Sequence, residues 1–150
     1  DYHHGNGAQD IFYQRSDVFT ISIHGHPRSA YPNFSGYADE IGEGAGLHFN
    51  RNFPLPQGQN EKQYLEVLDK ALTMIRRFQP QWFVVSLGFD IMKGDPTGTF
   101  SVSPAGMGEI AKRIGQLEYP TLVIQEGGYS VQNLRTGAKS FFNELCKTWY

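Results

Sequence analysis

The sequence contains a single cysteine, Cys146, among its 150 residues. An internal disulfide framework is therefore excluded, and a lone thiol favours a reducing compartment. The sequence also has no apolar run that approaches the roughly 18 residues of a membrane-spanning helix. We therefore expect a cytoplasmic protein without a membrane partner, long enough to bury a core of its own.

An excess of positive charge is missing as well. The 13 Lys and Arg residues are balanced by 15 Asp and Glu residues, which gives a formal net charge of −2 at pH 7. Proteins that bind nucleic acid or anionic membranes usually carry a clustered basic patch. The sequence predicts no nucleic-acid partner, and its slight acidity is compatible with a cationic small-molecule substrate.

Short apolar, β-rich runs alternate with helical patterns along the chain. The runs, each typical of a parallel strand buried on both faces, are residues 18–24, 82–90 and 120–129. Apolar residues recur with the period of a helix over residues 61–78, 104–117 and 131–146. This alternation predicts an α/β fold with a parallel sheet. The glycine- and proline-rich stretch 25–59 shows no periodicity and is predicted to be a long, functional loop region.

Polar residues follow the predicted strands, and ligands of parallel sheets bind beyond the carboxyl ends of the strands. Asp90 ends the second run, and Glu126 and Tyr129 lie at the end of the third. Asp1 and His3 would share one face of an extended segment, because residues i and i+2 point the same way. One imidazole and two carboxylates leave coordination positions open, as a catalytic divalent metal requires. Surface polar residues produce the same spacing, so both interpretations stay open on the residues alone.

Three blocks of the sequence, "DYHHGNGAQDIFY", "GFDIMKGDP" and "EGGY", resemble signature blocks of the zinc-dependent histone deacetylase superfamily. They match in order and spacing, and the resemblance runs from residue 1 to about residue 146. The stretch "AYPNFSGYADEIGEGAG" at 30–46 is more similar to the bacterial acetylpolyamine amidohydrolases than to the eukaryotic histone deacetylases. The resemblance implies a three-layer α/β/α fold of the arginase/deacetylase type with a mainly parallel sheet.

The resemblance also implies the roles of four residues. Asp1, His3 and Asp90 match the ligands of a Zn²⁺ ion, with Fe²⁺ as the alternative metal. Tyr129 matches the tyrosine that hydrogen-bonds the carbonyl oxygen of the substrate. A phenol in that position would stabilise the negative charge that develops on this oxygen.

Weaker implications concern the substrate channel and a structural ion. Tyr31 and Gly128 match channel positions, and Tyr31 stands where the family usually has Phe; an ordinary packed aromatic is the alternative. A structural K⁺ or Na⁺ ion is implied near Ser22 and Ile23, and a second such site near Phe12, Arg15 and Val18. Ordinary core and loop residues are the alternative for all five.

The remaining histidines match no catalytic position. His4 is expected to pack or hydrogen-bond beneath the ligand shell. His24, His26 and His48 are expected to be structural or exposed to solvent.

The function implied is a zinc-dependent amidohydrolase that removes acetyl groups from acetylated polyamines or similar aliphatic amines. One alternative is a protein deacetylase that acts on acetyl-lysine. Another is a catalytically inactive fragment, because the family's pair of adjacent catalytic histidines lies upstream of the Asp-x-His block. We expect residues 1–150 to be the C-terminal portion of a single catalytic domain, incomplete at its N-terminal side. A sheet edge exposed in this way would favour homo-oligomers.

Overall fold

The computed structural model describes residues 1–148, which form two compact units. One unit comprises residues 3–57. The other comprises residues 1–2 together with residue 58 and all that follows it in the described chain. None of the helices in residues 1–148 is long and apolar enough to cross a membrane.

The unit of residues 3–57 is built on one pair of parallel strands. Helix α1 (Asn6–Phe12) precedes strand β1 (Thr20–Gly25), which pairs with β2 (Asn50–Leu55) in parallel. A 3-10 turn, Gly44–Gly46, lies between the strands along the chain. The prediction that residues 25–59 form a loop region throughout is therefore wrong at β2. Its sequence, "NRNFPL", contains two Asn and a Pro, which are uncommon in strands, and so gave no strand signal.

The other unit alternates helices and strands in the predicted order. It contains α2 (Glu61–Phe78), β3 (Phe83–Leu87), α3 (Pro104–Gly115), β4 (Thr121–Gln125) and α4 (Val131–Lys147). Strands β3 and β4 pair in parallel, from Phe83 opposite Thr121 to Leu87 opposite Gln125. The α/β class with parallel strands is confirmed.

Each long helix begins at a capping side chain. At α2, the side chain of Asn60 accepts a hydrogen bond from the backbone N–H of Gln63, and the Gln63 side chain accepts one from the Asn60 N–H. At α3 and α4, the hydroxyl oxygens of Ser103 and Ser130 accept hydrogen bonds from the N–H groups of Gly106 and Asn133. These caps satisfy N–H groups that a helix leaves open at its first turn.

The core of this unit contains the predicted apolar faces of the helices. The buried residues include Tyr64, Leu68, Leu72 and Ile75 of α2, Met107, Ile110, Ala111 and Ile114 of α3, and Phe141 and Leu145 of α4.

Burial of the strands differs from the prediction. Val84 of β3 and Leu122 and Ile124 of β4 are 53%, 54% and 42% exposed. Half-buried and exposed residues alternate over residues 83–86 of β3 and 121–124 of β4, so only one face of this part of the pair is covered in the described chain. The prediction of burial on both faces is therefore wrong for β3 and β4.

Gly137 on α4 has no room for a side chain. A Cβ atom there would lie 2.5 Å from Sδ of Met92 and 2.8 Å from Cδ1 of Phe89. We expect Gly137→Ala to lower the free energy of unfolding by about 1–3 kcal/mol, the usual cost of overpacking. Urea unfolding measures this change.

Gly7 of α1 provides the matched control, because a Cβ atom there would meet nothing within 4 Å. Gly7→Ala should be neutral or stabilising by up to about 1 kcal/mol, since Ala forms helices better than Gly. Equal destabilisation by both substitutions would contradict the packing argument.

Candidate metal centre

The carboxyl ends of β3 and β4 lie side by side because the two strands are parallel. Backbone pairing continues past both strands: the N–H of Glu126 donates to the carbonyl of Leu87 at 2.8 Å, and the N–H of Phe89 donates to that of Gly127 at 2.8 Å. Asp90 and the turn that leads to Tyr129 therefore stand at the same edge of the sheet, where ligands of parallel sheets bind.

Two carboxylates converge on the backbone at Gly127. Asp90 is fully buried, and its Oδ1 accepts a hydrogen bond of 2.8 Å from the N–H of Tyr2. Oδ2 of Asp1 accepts a hydrogen bond of 2.7 Å from the N–H of Gly127. A Cβ atom on Gly127 would lie 2.2 Å from Oδ2 of Asp90 and 2.4 Å from Oδ2 of Asp1, so only glycine permits this approach.

One group of His, Cys, Asp and Glu side chains in residues 1–148 has the geometry to hold a metal ion. It consists of Asp1, His3 and Asp90, whose ligand atoms all lie within 4.8 Å of one another. Asp90 is buried, whereas Asp1 and His3 are half-buried. One nitrogen and two carboxylate oxygens suit a catalytic Zn²⁺ ion, and a divalent cation also offsets the repulsion between two neighbouring carboxylates. The donor set therefore fits the metal that the resemblance implies.

Tyr129 follows the turn that touches the two carboxylates. Its ring is 59% exposed, and its backbone N–H donates to Oδ2 of Asp95 at 2.8 Å. Gly128 before it has a φ of +136°, and a Cβ atom there would lie 3.0 Å from Leu134 and from Phe89. Glycine is therefore required at this position by both conformation and space.

Tyr31 lies beside the predicted ligand His3. The two ring centroids are 6.4 Å apart in an edge-to-face arrangement, and Tyr31 is 69% exposed. The ring is exposed in the described chain, and its place in a substrate channel stays a prediction.

His4 is buried in a hydrogen-bond network of mainly neutral side chains, which reaches the carboxylate of Glu40 through Gln9. Its Nε2 donates to Oε1 of Gln9 at 3.1 Å, and its Nδ1 lies 2.9 Å from the hydroxyl of Ser35. The same Gln9 oxygen accepts hydrogen bonds from the side-chain amides of Asn50 and Asn52, at 2.9 and 2.8 Å. Burial, ahead of the opposing hydrogen bond from Gln9, lowers the pKa of His4, so the ring stays neutral.

His24 is fully buried next to His4, with ring centroids 4.6 Å apart. Its Nε2 donates to the carbonyl of Gly36 at 2.9 Å, which leaves Nδ1 to accept from the hydroxyl of Ser22 at 2.8 Å. The pKa of His24 is lowered to about 4, chiefly by burial; the hydrogen bond to Gly36 opposes this shift and the neighbouring His4 adds to it. His24 is thus structural, one of the two roles expected for it.

The residues predicted near a structural K⁺ or Na⁺ ion all lie in the unit of residues 3–57. Phe12 ends α1, and the side chain of Arg15 pairs with Asp17 at 2.6 Å on the surface. Ser22 and Ile23 lie on β1, and Val18 precedes that strand. No ion-binding geometry follows from these placements, so this assignment stays a prediction.

Two features of the site differ from expectation or escaped the sequence analysis. Residues 1–5, where an extended segment was expected at Asp1 and His3, form no regular strand in the described chain. Asp95 lies within the block "GFDIMKGDP" but was not singled out. Its only sequence signal is the Asp-Pro pair, which is typical of a turn.

Parallel strands, the helices that follow them and a polar cluster at the carboxyl ends of β3 and β4 define an α/β protein of enzyme-like architecture. The model of the histone deacetylase domain family matches residues 1–145, and the chain belongs to this family. The fold and the family inferred from the three signature blocks are thereby confirmed.

The chain is similar to several named members of the family. It is 46% identical over 142 residues, or 95% of its length, to an acetylpolyamine amidohydrolase of Burkholderia pseudomallei, of which it covers 42%. The crystal structure of the acetylpolyamine aminohydrolase from the same species has a TM-score of 0.95 over 97% of the chain and 42% of that structure's chain. Identity to histone deacetylase 8 of Xenopus tropicalis is 34%, over 89% of the chain and 36% of that protein. The chain thus spans about 40% of the length of such relatives, and the likeness to the amidohydrolases is confirmed.

The low pKa of His24 makes stability depend on pH. Unfolding returns the imidazole to its usual pKa of 6.5, so between pH 6.5 and about 4 the unfolded state binds a proton that the folded state does not. We expect stability to fall over this interval by up to about 3 kcal/mol from His24 alone.

Thermal unfolding of the wild type and of His24→Asn between pH 7.5 and 4.5 measures this dependence. The melting temperature of the variant should fall less steeply with acid, whatever its value at neutral pH. His48→Asn, at an exposed position, is the control and should keep the wild-type slope. An unchanged slope in His24→Asn would contradict the assignment of a neutral, buried imidazole.

Proposed function

We propose that the intact gene product is a zinc-dependent amidohydrolase that removes acetyl groups from acetylated polyamines or similar aliphatic amines. The observation that carries this proposal is the group Asp1, His3 and Asp90, whose ligand atoms lie within 4.8 Å of one another. It occurs in a chain that is 46% identical to a protein named acetylpolyamine amidohydrolase.

Asp1, His3 and Asp90 would hold the metal. When bound, zinc supplies a Lewis acid that polarises an amide carbonyl and lowers the pKa of water. Fe²⁺ accepts imidazole and carboxylate ligands as well, so metal analysis has to distinguish the two ions. The N–H groups of Tyr2 and Gly127 fix the two carboxylates, because each donates to one carboxylate oxygen.

The chain's own groups would orient the amide and stabilise its transition state. The hydroxyl of Tyr129 would donate to the substrate carbonyl oxygen and stabilise the charge that develops there. The exposed ring of Tyr31, beside His3, would border the acyl group. We assign no proton transfer to His4 or His24, because both rings are buried and each ring nitrogen has a hydrogen-bond partner.

A protein acetyl-lysine deacetylase is the second candidate, and the 34% identity to a histone deacetylase supports it. The higher identity to acetylpolyamine amidohydrolases and the sequence of residues 30–46 favour the polyamine. Both substrates present an acetylated primary amine on an aliphatic chain, so the family chemistry is the same and the difference lies in the leaving amine.

The two candidates are distinguished by assaying the intact gene product with N-acetylputrescine and with an acetyl-lysine peptide. We expect kcat/KM for N-acetylputrescine to be higher by at least about tenfold, which corresponds to 1.4 kcal/mol of differential transition-state binding. The reverse preference would support the protein deacetylase. Failure to hydrolyse either substrate in the zinc-loaded protein would support the inactive alternative.

Asp90→Asn tests the metal assignment. The amide keeps the size of the side chain but removes its charge, so bound zinc measured by mass spectrometry and deacetylase activity should fall together. Asp69→Asn is the control, because Asp69 lies on the surface of α2 and pairs with Arg113 at 2.6 Å. Full zinc occupancy in Asp90→Asn would contradict the assignment.

Tyr129→Phe tests the role of the phenol. The ring remains but the hydrogen-bond donor is lost, so kcat should fall by about 10²–10³-fold, as at comparable oxyanion sites. Zinc content and KM should change little. Tyr119→Phe, before β4, is the matched control and should retain wild-type turnover. An unchanged kcat in Tyr129→Phe would mean that another group polarises the carbonyl.

A further inference from the structure

Asp95 is a buried carboxylate in the loop between β3 and α3. Its residue is only 6% exposed, and both carboxylate oxygens accept hydrogen bonds. Oδ1 accepts from the backbone N–H and the hydroxyl of Thr97, at 3.0 and 2.9 Å. Oδ2 accepts from the backbone N–H groups of Tyr129 and Ser130, at 2.8 and 3.1 Å. One side chain thereby joins two loops that are more than thirty residues apart in sequence.

The two oxygens have separate tasks. Oδ1 accepts hydrogen bonds from the loop to which Asp95 itself belongs. Oδ2 accepts hydrogen bonds from the segment that carries the proposed catalytic phenol. Burial opposes ionisation, but hydrogen bonds from Thr97, Tyr129 and Ser130 outweigh it and hold the pKa of Asp95 below its usual value. The carboxylate is therefore charged at neutral pH, and hydrogen bonds to a charged acceptor are stronger than those between neutral groups.

Backbone contacts hold Tyr129 from both sides, while its ring is free to reach a substrate. On one side, Gly127 bonds to Phe89 and to Asp1 through its carbonyl and its N–H. On the other side, Asp95 binds the N–H groups of Tyr129 and Ser130. Because the ring is 59% exposed, packing fixes its direction only weakly, and the backbone anchors have to supply the rest.

We infer that Asp95 positions Tyr129 for catalysis by holding the backbone of residues 129–130 through Oδ2. This inference rests on the proposed function, in which the Tyr129 hydroxyl contacts the substrate. Asp95 itself does not contact the reacting atoms in this scheme. Helix α4 does not depend on it alone, because α4 is capped by Ser130 and anchored in the core by Phe141 and Leu145.

Hydrogen–deuterium exchange of the intact gene product tests, without an activity assay, whether Asp95 holds the backbone of residues 129–130. This contact is called the anchor below. In the wild type, the amides of Tyr129 and Ser130 should be protected although this segment is exposed. Asp95→Asn places an N–H₂ group among N–H donors and should speed exchange in residues 127–131. Thr97→Val is the matched control, because it removes one hydrogen bond to Oδ1 and leaves the contacts of Oδ2. Its exchange in residues 127–131 should match that of the wild type.

Kinetics then show whether the anchor acts through the phenol. Asp95→Asn should lower kcat by about 10–100-fold, part of the effect of losing the donor altogether, with KM and zinc content nearly unchanged. In a Tyr129→Phe background the same substitution should cost less than about twofold, since residues that act as a unit are not additive.

Each outcome bears on one claim. An equal loss of kcat in both backgrounds, or unchanged exchange at residues 127–131 in Asp95→Asn, would overturn the inference. If Asp95→Asn does not fold, unprotected amides at Tyr129 and Ser130 in the wild type overturn it, whereas strong protection there supports it. An inactive wild-type protein would instead overturn the proposed function and leave the exchange result to decide on the anchor.

Discussion

The candidate site depends on one close approach, that of the backbone at Gly127 to the carboxylates of Asp1 and Asp90. Two carboxylates at one place repel each other, and a buried one also loses its hydration. The chain compensates with directed N–H groups: Tyr2 donates to Asp90, and Gly127 donates to Asp1. These bonds require the parallel pairing of β3 with β4, which brings the Asp90 and Gly127 segments to one edge. A metal ion held by these carboxylates, as proposed above, would complete the compensation.

The helices could be predicted because their signals are local. The apolar period of α2 and the capping residue Asn60 lie within the helix or next to it, and the helix occupies the predicted residues 61–78. Strand β2 could not be predicted, because what makes it a strand is its partner β1 and the buried hydrogen bonds of Asn50 and Asn52. Those contacts connect residues thirty or more positions apart, and no local pattern reports them.

The same distinction applies within the site. Asp1, His3 and Asp90 were indicated by type, by the i, i+2 spacing and by a strand end, which are all properties of short segments. Asp95 was not, because its role follows from contacts with the N–H groups of Tyr129 and Ser130, and backbone donors are present at every non-proline position. A carboxylate oxygen that binds only backbone N–H groups, as Oδ2 of Asp95 does, has no partner residue type that a sequence could display.

Two buried polar regions of the described chain, around His4 and His24 and at Asp95, solve the problem of desolvation differently. Around His4 and His24 the groups are mainly neutral, and burial keeps both imidazoles without a proton, so hydrogen bonds alone suffice. At Asp95 the buried group is charged, and four hydrogen bonds from three residues stabilise that charge. A neutral network can hold a strand pair in place, but it gives each N–H only a modest attraction.

A loop that carries an exposed phenol needs more than such a modest attraction, because fixing the backbone of one residue opposes about 1–2 kcal/mol of conformational entropy. A charged acceptor roughly doubles the strength of each hydrogen bond. The proposed charged anchor, Asp95, thus binds the backbone of a residue whose side chain is mostly exposed and, in the proposed function, stays open to a substrate.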